Sequence, residues 1–289
     1  MIAILDTVIQ GILLGGLYAL FAAGLSLIFG VMRLVNLAHG DIIVLAAYVL
    51  VAFAVKLGLG LPIALLLALP LMAVGGYGLQ RGVLEATLGP DILPPLLTTF
   101  GLSIFLQNGL QQVFSADSQR LSPGALETAS LQLGGDVAIG VLPLVTFVSA
   151  VLVIVGLNLV FYRTSTGRAF RAVSDDAVTA QLMGVDHRRI FGLAVGLAFA
   201  VATIAALFLG MRANFDPTIG PARLIFAFEA VIMGGLGSLW GTLFGGIVLG
   251  VAQTAGASIN PEWQLLAGHL AFLVFLVARP RGMFPRATD

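Results

Sequence analysis

The sequence predicts an all-α, polytopic transmembrane helical bundle of eight or nine spans with broken helices, and three observations carry that prediction. The chain of 289 residues is 59% hydrophobic and 10% charged, with a mean hydropathy of +1.05, whereas a soluble domain carries about 25% charged residues. Apolar runs of roughly 20 residues, the length that crosses a hydrocarbon core as helix, recur along the whole chain. Its 36 glycines and 12 prolines cluster within and between those runs, as interrupted helices require.

The same composition excludes several functions. Net charge is zero, and no basic stripe marks a nucleic-acid footprint. Cysteine is absent, which removes disulfides and thiolate metal sites. His39, His187 and His269 form no HExxH, and carboxylates at metal spacing are missing, so no metal is expected. Enzyme signals are weak and no GxxxxGK[ST] occurs, so the chain is expected to bind no cofactor, to be no enzyme and, if it transports, to be unable to power transport itself. Its energy must come from a partner or from an ion gradient. MIAILDTVIQG, with Asp6 and no basic residue, reads as mature chain leading into a first span.

Spans are expected at roughly 8–30, 41–57, 61–79, 96–114, 139–161, 191–211, a glycine-broken stretch at 224–256, and 262–279. If 224–256 crosses twice, Arg33, Arg81, Arg163, Arg168, Arg171, Arg188, Arg189, Arg279, Arg281 and Arg286 share one side. Lys56, Arg120, Arg212 and Arg223 share the other. The positive-inside rule then puts the C-terminus in the cytoplasm and the N-terminus outside, with nine crossings; eight is the competing count. Residues 1–289 are expected to form one membrane domain with a cytoplasmic segment at about 163–190.

In EAVIMGGLGSLWGTLFGGIVLGVAQ the pairs Gly237 and Gly241, Gly241 and Gly245, and Gly246 and Gly250 stand four apart. Such spacing lines a helix face with small surfaces and lets backbones approach closely. The run from Gly234 and Gly235 to Ser238 also fits a helix break whose freed backbone groups face a substrate path.

Polar residues are costly inside a membrane and usually face protein or water. Asn36, His39 and Asp41 crowd into NLAHGD between two apolar runs. Either they sit at the cytoplasmic mouth, with Asp41 free to cap the second span, or the helix breaks there and lends polar groups to the path. Gln107, Asn108, Gln111, Gln112, Glu229, Gln253 and Ser238 are further path candidates.

The segment YRTSTGRAFRAVSDDAVTAQLMGVDHRRI carries helix signals. Ser174 has the chemistry of an N-cap, Asp175 and Asp176 then fall in the first turn, and Gly184 stands where a left-handed C-cap belongs. A short helix is expected at about 175–183. Exposed Phe170, Val178 and Leu182 would give it a docking surface for a cytoplasmic partner.

Three stretches, GLYALFAAGLSLIFGVMRLVNLAHGD, GRAFRAVSDDAVTAQLMGV and GGLGSLWGTLFGGIVLG, with GLSIFLQN between them, resemble the LivH-type permease of branched-chain amino-acid ABC importers. The resemblance covers most of the chain in the same order. It implies an ABC importer permease fold in a bacterial inner membrane and import of amino acids, branched-chain ones first. Its partners would be a second LivM-like permease subunit, two ATP-binding subunits holding ATP and Mg, and an extracytoplasmic substrate-binding protein. It also implies that Gly167, Arg168, Phe170, Arg171, Asp175, Asp176, Val178, Leu182 and Gly184 belong to the segment that docks on the ATPase. Family relatives extend to urea and other amides. An ion-coupled secondary carrier stays open as a second reading, with Glu229 its main midplane carboxylate.

Overall fold

The computed structural model describes residues 2–89, 91–132 and 138–284. The order is α1 (Ile2–Met32), α2 (His39–Val51), α3 (Leu61–Gly82), α4 (Leu93–Phe114), β1 (Ser130–Gln132), β2 (Ala138–Gly140), α5 (Val141–Arg163), α6 (Ser165–Asp175), α7 (Ala177–Leu182), α8 (His187–Arg212), α9 (Gly220–Gly234), α10 (Leu239–Ile259) and α11 (Trp263–Ala278). β1 and β2 pair antiparallel, Leu131 opposite Ile139. The helical membrane class is as the sequence predicts.

The span count differs. Among the described residues six helices are long and apolar enough to cross a membrane, against the expected eight or nine. α9 and α11 are only 15 and 16 residues long. α4 has the length at 22 residues, but four amides and two prolines dilute its apolar character. The stretch 224–256 divides at 235–238, where Gly235 and Gly237 take positive φ of 102° and 79°, a conformation that only glycine adopts at little cost.

Contacts group the chain into two compact units: Met1–Ala23, Ser122–Val155 and Phe226–Asp289 in the first, Gly24–Leu121 and Gly156–Ile225 in the second. In the first unit α10 is gripped on two faces. Gly241 and Gly245 press against Gly234 and Ala230 of α9, while Gly246 and Gly250 press against Gly15 and Gly11 of α1. A methyl group at Gly246 would stand 2.6 Å from the Gly15 carbonyl oxygen, so bulk on either face would separate the helices.

In the second unit α3 packs along α8. Gly76 lies under the Phe199 ring, and Gly192 and Gly196 lie under Tyr77 and Ala73. α2 packs on α8 and α4. Tyr48, Phe114 and Phe215 close one end as an aromatic cluster, with ring centroids 4.7 and 5.2 Å from that of Tyr48.

Candidate functional site

α1 ends at Met32, and Arg33, at φ 53°, still donates its N–H to Phe29 O. The chain then runs without helix to Asn36, whose Oδ1 accepts the Ala38 N–H at 3.0 Å, a side-chain turn that starts α2. The His39 ring lies between α1 and α8: a methyl group at Gly24 would stand 2.8 Å from His39 Cε1 and 3.0 Å from Ala198 O. Gly24 lies eight residues before Met32, about 12 Å along the helix axis. α2 therefore begins two turns back along α1, within its membrane-spanning length. Asn36, His39 and Asp41 are 0, 1 and 1% exposed.

Asp41 does not cap α2. Ala38 holds the N-cap position and gives no side-chain cap; Asp41, in the first turn, reaches α4 instead. Ser103 Oγ donates to Asp41 Oδ2 at 2.6 Å, and Gln107 Nε2 donates to Ser103 Oγ at 3.1 Å. Asp41 Oδ1, without a hydrogen-bond partner among the described residues, stands against Gly220, the first residue of α9, and Gly40 presses on the Gly220 carbonyl. The N-termini of α2 and α9 thus cross in backbone contact. Both positive helix ends act on one buried carboxylate, and with the Ser103 bond they offset the cost of keeping it from water.

The other path candidates scatter. Asn108, exposed, donates to Ile104 O at 2.7 Å. Glu229 and Gln253 lie in the first unit, where Glu229 Oε1 is 2.5 Å from His269 Nδ1 and Gln253 accepts from Tyr18 Oη. Ser238 is the N-cap of α10, its Oγ accepting the Gly241 N–H at 3.1 Å. The break before it was expected to leave backbone groups facing a path. Instead the C-terminal segment straps it: Met283 N–H donates to Met233 O at 3.0 Å and Phe284 N–H to Gly234 O at 3.1 Å.

The segment after α5 forms two helices instead of one. Thr164 caps α6 and Asp176 caps α7, whereas Ser174, expected as the cap, lies inside α6 and donates to Gly30 O of α1 at 2.7 Å. Bonds from the Thr179 hydroxyl first, then from the Thr179 and Val178 N–H groups, hold the Asp176 carboxyl below the usual carboxylate range. Asp175 is exposed in the last turn of α6, and Gly184 takes the left-handed conformation at φ 87°. Gly167, Phe170 and Val173 share the buried face of α6. Phe170, expected on the surface, is 1% exposed against the Phe161 ring. Arg171 donates to Phe161 O at the end of α5, while Arg168 is exposed. Val178, Leu182 and Met183 are 71, 83 and 81% exposed, an apolar patch on a short helix whose base is anchored to α1 and α5.

Sequence reasoning missed Ser103, His269, Gly40 and Gly220. Ser103 stands four before Gln107, hence on the same helix face, which was the available signal. The other three depend on tertiary contacts. Among the described residues no group of three or more His, Asp or Glu side chains is placed to hold a metal ion.

Broken apolar helices, a buried polar junction and an anchored apolar patch outside the spans define a multi-pass membrane permease. The chain belongs to the family described as branched-chain amino acid transport system, permease component, whose model matches residues 7–278. It is 31% identical to the high-affinity branched-chain amino acid transport system permease protein BraD of Pseudomonas aeruginosa, over 98% of this chain and 96% of BraD. It is 26% identical to LivH of Escherichia coli K12, a permease protein of the same description, over 98% and 96% of the two chains. Among solved structures it resembles PsaBC from Streptococcus pneumoniae in complex with Fab, with a TM-score of 0.51, 16% identity and full coverage of both chains, a likeness of fold alone.

Proposed function

We propose that this chain is the membrane-spanning subunit of an ATP-driven importer that carries amino acids, branched-chain ones first, across a bacterial cytoplasmic membrane. The observation that carries the reading is the crossing of two helix N-termini at Asp41, inside the spans of a chain from this permease family. A zwitterion on this route meets helix-end amides for its carboxylate and the Asp41 carboxylate for its ammonium, with Asn36, His39, Ser103 and Gln107 around them. The partners in this reading are a second permease chain, two ATP-hydrolysing subunits that hold ATP and Mg, and an external binding protein that selects the substrate. Glu229, the carboxylate an ion-coupled carrier would use, is engaged by His269, which favours the importer.

Coupling runs through the second unit. An ATPase seated on Val178, Leu182 and Met183 moves α7, and α6 is tied to α5 by Arg171 and to α1 by Ser174. Force on α7 therefore reaches the helices around Asp41.

The experiment is uptake of labelled leucine by the complete importer in proteoliposomes, with Asp41→Asn and Ser103→Ala in this chain. Removing Ser103 Oγ deletes a hydrogen bond to a charged group, worth ~1.5 to 3 kcal/mol, so uptake should fall about tenfold or more with assembly intact. Wild-type uptake by both variants would overturn the assignment of Asp41 to the path. Uptake of urea in place of leucine would move the substrate to the amides.

A further inference from the structure

We infer that the face of α11 centred on His269 is where the second permease chain docks, an inference that rests on the importer reading above. α11 is held to α10 by another face, with Gly268 against Gln253 and Ala267 against Gly256. His269 is the seventh of its 16 residues, about 9 Å from the helix start and so well inside the apolar length. Its Nδ1 is bound to Glu229, the Phe226 ring stacks on it at 6.0 Å with an interplanar angle of 5°, and yet its side chain remains 41% exposed. Nε2 finds no hydrogen-bond partner among the described residues. Leu265, Leu266 and Leu273, one turn to either side on the same face, are 53, 53 and 52% exposed.

A half-exposed imidazole paired to a buried carboxylate is a poor surface for lipid tails, because hydrocarbon offers Nε2 neither donor nor acceptor. Flanking leucines argue equally against a water-filled channel. Apolar residues around one polar group form the pattern of a helix–helix contact within a membrane. The occupant must bring a hydrogen-bonding group to this depth, and ATPases and binding proteins lie outside the bilayer. A second membrane-spanning permease chain meets the requirement, with an aliphatic face against the leucines and a polar side chain level with His269.

The test places a photoreactive benzophenone amino acid at Leu266 or Leu273, and at Leu67 on α3 as control, in membranes that hold the whole importer. Illumination should give a permease–permease adduct from 266 and 273 and none from 67. In a tagged pull-down, His269→Leu should lower recovery of the second permease at least tenfold while the chain still inserts, and His269→Gln should restore it in part. Recovery of the second permease with adducts to lipid alone, or with undiminished recovery in His269→Leu, would overturn this face and leave the importer reading standing. A wild-type pull-down that yields neither a second permease nor an ATPase would overturn both.

Discussion

At the scale of single residues, the polar junction depends on what two glycines lack. Gly40 and Gly220 meet with no room for a side chain: a methyl group at Gly40 would stand 2.8 Å from the Gly220 carbonyl carbon and 3.0 Å from Leu224 N. Those neighbours are backbone, which cannot swing aside as a flexible side chain does. Gly40→Ala or Gly220→Ala should therefore destabilise the chain by about 1 to 3 kcal/mol, as overpacking does, and part α2 from α9. Gly78, inside α3, has nothing within 4 Å of an added methyl group, so Gly78→Ala should leave stability unchanged or raise it by about 0.5 to 1 kcal/mol. Thermal unfolding of the detergent-solubilised chain measures both; equal effects at the three positions would refute the close crossing. Asn36, His39 and Asp41 stand out in the sequence as polar residues where apolar ones belong. Gly40 and Gly220 do not, since nothing local separates a glycine that meets a carbonyl from one that meets open space.

At the scale of elements, the sequence was legible where the determinants are local. The apolar lengths of α1, α3, α5 and α8, the glycine break before α10 and the left-handed turn at Gly184 follow from composition and from backbone freedom. The depth at which α2 starts was not legible, because it is fixed by the His39 ring against Gly24 and Ala198. Nor was the cap between α6 and α7. Ser174 and Asp176 are both good capping residues, and the choice falls to Asp176 because the Ser174 hydroxyl is drawn to Gly30 O. Phe170 could have been placed from periodicity, since Gly167, Phe170 and Val173 repeat at the spacing of one helix face. With Phe170 buried, the proposed docking surface reduces to α7 and its C-terminal neighbour Met183. Val178→Asp or Leu182→Asp should leave insertion and folding intact, because both side chains project from the fold. Each should abolish retention of the ATPase on purification, and uptake with it. Retention and uptake at wild-type levels would make α7 a solvated linker.

At the scale of the whole molecule, the packing of the first unit bears on which way the chain crosses the membrane. Gly11 lies against Gly250 and Gly15 against Gly246, so α1 and α10 run in opposite directions. Gly256 lies against Ala267 and Gln253 against Gly268, so α10 and α11 are opposed as well. α11 therefore runs parallel to α1, and the start of α1 and the end of α11 face opposite sides of any membrane they cross. This requires an odd number of crossings, which excludes eight; among the described residues six helices have the length and hydropathy of spans, and α9 and α11 are too short to be recognised by length. With nine crossings the sequence would put ten of the fourteen basic residues on the side of the C-terminus, and the positive-inside rule then predicts that side to be the cytoplasm. The proposed ATPase contact requires α7 to lie on the cytoplasmic side as well. A reporter active only in the cytoplasm should be active when fused after Asp289 and silent when fused at Met1. Activity at both ends would mean an even number of crossings and would contradict the parallel course of α1 and α11. Activity at Met1 alone would invert the chain and leave α7 on the face that no ATPase reaches.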